Sequence, residues 1–167
     1  MKRNLCSEAA NGIMKMNCIS YPRGPFMANS QAPQSAVALA PMLSVRRGKQ
    51  AVDFYAQAFG AQTLFRMDGD DGGVVAELAI GSSRFWVADE SPEHKNFSPE
   101  TLGGITTRMI LVVDDPDSAY QRAIDAGATV FWPVNDEPYG WRIGRLVDPF
   151  GHHWEIGKPL GAPPESA

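Results

Sequence analysis

The side chains best placed to do chemistry are His153 and Glu155, in the stretch "DPFGHHWEI" over residues 148–156. An imidazole and a carboxylate two positions apart on a strand point to the same face. There they could ligate a metal ion or work as acid and base. Two donors do not complete a metal site, and an arginine, Arg108 or Arg142, suits Glu155 as well as an ion does. Alternation sends His152, Trp154 and Ile156 to the opposite face. The apolar pair Trp154 and Ile156 should pack under a helix, which turns His153 and Glu155 toward a cavity. Asp148, Pro149 and Gly151 supply the turn before the strand.

The elements that hold this strand occur twice in one order. The first copy runs "APMLSV" (40–45), a helix "AVDFYAQAF" ended by Gly60, then "AQTLFRM", "GGVVAELAI" and "SRFWVAD". The second runs "RMILVV" (108–113), a helix "DSAYQRAIDA" ended by Gly127, then "ATVFWPV", "WRIGRLV" and "HHWEIG". Val52, Tyr55 and Phe59 make one helical stripe and Ala119, Ala123, Ile124 and Ala126 the other. Each helix stops at a glycine, where a left-handed residue is wanted. The fold class expected is α+β, two tandem βαβββ modules forming a curved mixed sheet around a cavity. A cavity between two such modules is the default binding site.

Boundaries follow from composition. Residues 1–36 lack sustained periodicity and are expected to be a flexible N-terminal segment, with 161–167 as a tail. Residues 37–160 are expected to form a single domain, module one over 39–91 and module two over 105–158, joined by the polar stretch "DESPEHKNFSPETLGG". A solvent-exposed His94 is expected there. Asp68, Asp70 and Asp71 sit in "MDGDDGGVV", which reads as an acidic hairpin turn rather than a calcium loop.

The 167 residues are 44% hydrophobic and 20% charged with a formal net charge of -4, the balance of a globular protein without a basic field for nucleic acid. No apolar run is long enough to span a bilayer, so no membrane partner is expected. Cys6 and Cys18 fit no metal framework, and a reduced, cytoplasmic protein is the simple expectation. A small-molecule ligand is the expected partner.

The doubled layout, "AVDFYAQAFGAQTLFRM", "AELAIGSSRFWVADE" and above all "YGWRIGRLVDPFGHHWEI" resemble the vicinal oxygen chelate superfamily of glyoxalases, bleomycin-resistance proteins and extradiol dioxygenases, and within it the PhnB-like branch. The resemblance covers roughly residues 39 to 158. It implies a homodimer with a cavity between modules, and in the metal-dependent members four cavity-facing ligands. Carried onto this chain, those positions fall at Ala40, Trp86, Arg108 and Glu155. Only Glu155 is a credible ligand, so the usual divalent ion (Zn, Ni, Mn or Fe) is not expected; any ion present would use Glu155 and His153.

What replaces the ion is a cavity of aromatic and cationic character. The expected ligand-binding residues are Trp86, Arg108, Trp132, Tyr139, Trp141, His153 and Glu155, with Glu155 the candidate catalytic group. Strand parity lets only one of Phe85 and Trp86 face inward. Two functions remain open. One is a non-catalytic protein that binds an aromatic or cationic ligand, and the other is a metal-dependent lyase, isomerase or dioxygenase-like enzyme using Glu155 and His153.

Overall fold

The structure is a computed structural model that describes residues 37–70 and 72–161; the expectations for residues 1–36 and 162–167 lie outside the described residues. Strand β1 (Met42–Val45) leads to helix α1 (Gly48–Phe59), then β2 (Gln62–Asp68), β3 (Val74–Ile80) and β4 (Ser83–Asp89). After the short helix α2 (Pro99–Leu102), the order repeats with β5 (Arg108–Val112), α3 (Pro116–Asp125), β6 (Thr129–Glu137), β7 (Trp141–Val147) and β8 (His153–Pro159). Two mixed four-stranded sheets result, ordered β1-β4-β3-β2 and β5-β8-β7-β6, each with one parallel pair between its first two strands. This is the doubled βαβββ arrangement expected from the repeat.

Local chemistry places each helix. Gly60 takes φ 66, and Ala61 N–H reaches back to the Tyr55 carbonyl at 3.1 Å, closing the end of α1. At its start, Asp89 of β4 accepts from Gly48 N–H at 2.9 Å and Val74 N–H at 2.7 Å, so a carboxylate from the sheet caps the first turn. Helix α3 carries its own cap: Asp115 accepts from Ser118 N–H at 3.1 Å, and Pro116 occupies the first turn.

The polar linker between the modules carries the short helix α2. Ser98 caps α2 by accepting from Thr101 N–H at 3.2 Å, while Glu90 receives Ser98 N–H at 2.9 Å. With its polar groups so satisfied, Ser98 is fully buried. His94 is exposed, its Nδ1 2.7 Å from Ser91 Oγ.

Both sheets turn one face to the helices, and the two helices pack on each other. Leu43, Val45, Leu78, Phe85 and Val87 of the first sheet therefore share a core with Leu146, Trp154 and Ile156 of the second. Trp154 joins the modules: its ring lies 4.5 Å from Phe59, 5.5 Å from Tyr55 and 5.9 Å from Phe85. Truncating so buried an indole costs about 3–5 kcal/mol. The faces away from the helices stay open and carry exposed apolar side chains, among them Met42, Phe65, Ile110, Val112 and Trp132. No helix among the described residues is long and apolar enough to cross a membrane.

Candidate functional site

The turn before β8 sets everything that follows it. Asp148 Oδ1 accepts from Phe150 N–H and His152 N–H, each at 2.9 Å, and Oδ2 accepts from Tyr55 Oη at 2.8 Å and Trp154 Nε1 at 3.0 Å. The carboxylate thus bends the chain and holds the indole in the core. With Trp154 and Ile156 on the helix side, alternation puts His153 and Glu155 on the open face, as their spacing predicts.

On that face β5 and β7 flank β8. Arg108 Nη1 donates to Glu155 Oε1 at 2.7 Å, so of the two arginines the sequence offers it is Arg108 that pairs with the carboxylate. Arg142 is held elsewhere, by Asp117 at 2.6 Å and Asp136 at 2.7 Å. The cross-strand neighbour of Glu155 is Arg145. Its Nε donates to His153 Nδ1 at 2.9 Å, and its guanidinium carbon sits 4.4 Å from the Phe131 ring centre and 5.5 Å from that of Trp132. Burial first, and then Arg145, pushes the His153 pKa below its ordinary 6.5, so the imidazole stays neutral and accepts.

A cavity of about 540 Å³ opens over these strands, lined by Arg108, Trp132, Glu137, Tyr139, Arg145 and Glu155 among others. Partial burial, with the carboxylates of Glu137 and Glu155 nearby, raises the Tyr139 phenol above its usual range. The structure thus brings together Arg108, Trp132, Tyr139 and Glu155 from the set the sequence singled out. His153 stands beside them, in contact through Arg145. Trp141 is half-buried at the start of β7 and is not part of the lining.

Trp86 lies apart, on the first sheet, paired across to Met42 and Glu77 and 5.9 Å from the Phe65 ring. Parity resolves as expected: Phe85 is buried under the helix and Trp86 faces out. With Glu77, Ile110 and Val112 it lines a second concavity, about 1060 Å³, between β4 and the exposed edge strand β5. The expected ligand set is therefore divided between two concavities, one on the second module and one between modules.

Arg145 is the residue the sequence reading passed over. The signal was present in "WRIGRLV": Leu146 is fully buried, which puts Gly144 and Arg142 on its face and Arg145, with Ile143 and Trp141, on the other.

Fold and site together define a two-module α+β protein of two four-stranded sheets, with a cavity on the open face of the second. The chain belongs to the glyoxalase/bleomycin resistance protein/dioxygenase superfamily, whose family profile matches residues 37–156. It is 41% identical over 142 residues, 83% of this chain and 81% of the relative, to an uncharacterised protein of Mycobacterium tuberculosis H37Rv. The crystal structure of an Arabidopsis thaliana gene product superposes with TM-score 0.60 at 29% identity, over 73% of this chain and 98% of that one. TioX from Micromonospora sp. ML1 superposes with TM-score 0.56 at 26% identity, over 74% and 100%.

Divalent metals are common in this superfamily, and the residues here do not fit one. Among the described residues no three of His, Cys, Asp and Glu converge on a point. Glu155, the donor on the open face of β8, has Arg108 hydrogen-bonded to it and Arg145 across from it, two positive charges that oppose a cation.

Proposed function

We propose that this chain is a PhnB-like member of the superfamily that binds a flat aromatic small molecule without a metal ion, acting in the cytoplasm as a homodimer. The observation that carries the reading is the Arg108–Glu155 pair, 2.7 Å apart, set in a concave face beside Trp132 and Tyr139. Rings supply area and stacking for a planar ligand, and the ion pair supplies a polar anchor. Trp132 and Tyr139 are more than half exposed in the single chain, 57% and 58%, and a second copy laid over the open faces would enclose the ligand.

Elemental analysis by mass spectrometry, after dialysis against nickel, zinc, manganese and iron in turn, tests the metal-free part. No stoichiometric ion is expected. About one ion per chain, lost in Glu155→Ala, would overturn the reading in favour of a lyase or dioxygenase using Glu155 and His153. Tryptophan quenching by aromatic ligands, weakened in Trp132→Ala, tests the binding part.

A further inference from the structure

We infer that the cavity on the second module takes an aromatic carboxylate, with Arg145 as the residue that binds its acid group. This rests on the aromatic-binding reading above and names the ligand class for the same site. Glu155 is already engaged by Arg108, whereas Arg145 has no carboxylate within 4.0 Å among the described residues. Arg145 is nonetheless held in place. Its Nε is committed to His153 Nδ1 at 2.9 Å and its guanidinium carbon lies over the Phe131 ring, 4.4 Å from the centre, which leaves the two terminal nitrogens for a ligand. A guanidinium fixed by its Nε and by a ring offers a pre-organised fork of the geometry a carboxylate takes in bidentate fashion.

Trp132 is the cross-strand neighbour of Arg145 and lies 5.5 Å from its guanidinium carbon, so a ring stacked on the indole carries an attached acid group to the fork. Glu137 is the other carboxylate in the lining. It pairs with Trp141, four residues back along β7 from Arg145, a separation of about 13 Å in extended chain, and so it does not neutralise the arginine. His153 contributes no competing charge while neutral, and its bond occupies Nε alone.

Isothermal titration of the full chain with three probes of one shape, 2-naphthoate, 2-naphthamide and 2-naphthylmethylammonium, tests the proposal. The anion is expected to bind at least about tenfold more tightly than the amide, the fold-change of one charge-assisted contact. In Arg145→Gln the anion and the amide should bind equally, and Arg145→Lys should restore part of the preference; circular dichroism confirms that each variant folds. Equal binding of anion and amide to the wild type, or an unchanged preference in Arg145→Gln, overturns the acid-group assignment while leaving the aromatic site standing. Tighter binding of the ammonium probe also overturns it. If none of the probes binds, or if binding is indifferent to Trp132→Ala, the aromatic-binding reading itself fails.

Discussion

Tyr55 on α1 donates its hydroxyl to Asp148 at 2.8 Å, a hydrogen bond that reaches from the first module into the turn that begins the last strand of the second. Burial, and then Asp148, raises the phenol pKa well above its usual range, so the proton stays on the oxygen and the bond persists at any working pH. The same carboxylate holds Trp154, Phe150 and His152. Removing Asp148 leaves buried donors unpaired, whereas removing the tyrosine hydroxyl leaves a carboxylate with three donors. Asp148→Ala should therefore cost about 3–5 kcal/mol and Tyr55→Phe about 1–2 kcal/mol in urea unfolding. Similar losses for the two variants would contradict the hub.

The neutral His153 has a signature in pH. Its folded pKa lies below the 6.5 of the unfolded chain because burial and the neighbouring Arg145, His152 and Arg108 outweigh the opposing Asp148. Between the two values the unfolded chain binds more protons, so stability rises with pH through that window and is full above 6.5. It falls as the pH drops below 6.5 and stops falling at the folded pKa. Urea midpoints from about pH 5 to about pH 8 should show this slope in the wild type and lose that component in His153→Gln.

Gly144 on β7 marks a close approach between layers. A β-carbon there would come 2.8 Å from Val134 Cγ2 and 2.9 Å from Tyr120 Cε2. Tyr120 in turn donates to the Trp132 carbonyl at 2.8 Å and the Arg145 carbonyl at 3.1 Å, so the crowding is transmitted to the cavity wall. Gly144→Ala should destabilise by about 1–3 kcal/mol and weaken naphthoate binding by calorimetry. Unchanged binding would show that the wall tolerates the shift.

The open faces expose Ile110 (61%) and Val112 (58%) on β5, an edge strand. Apolar exposure of this kind along a sheet edge calls for a cover. Sedimentation should find a dimer for the wild type and a monomer for Ile110→Lys. A monomeric wild type would remove the second copy from the binding reading.

The Arg108–Glu155 pair should matter little for folding. Arg108 is half exposed, and an ion pair so placed contributes about 0–1 kcal/mol. Glu155→Gln is expected to leave the urea midpoint nearly unchanged while altering ligand affinity. A large loss of stability would mark the pair as structural instead.

Much of the fold was legible because its signals are local. The period-2 alternation of "HHWEI" assigned Trp154 to the core and Glu155 to the open face without any knowledge of the partner strands. Gly60, placed after a helical stripe, announced the end of α1. Asp148 was legible only as a turn residue, since three of its four donors lie within six residues of it and the fourth, Tyr55, is a long way back in the chain.

The amino-acid sequence by itself determined which residues alternate, where helices stop, and that His153 and Glu155 share a face. Only the tertiary structure decided that Arg108 rather than Arg142 meets Glu155, that Arg145 lies across from it, and that Trp86 opens onto a different concavity from Trp132. The reason is physical. Alternation and helical period depend on a few neighbouring bonds, whereas the choice of partner depends on sheet register and layer packing. Those are set by the whole core, and a shift of one residue reverses every face.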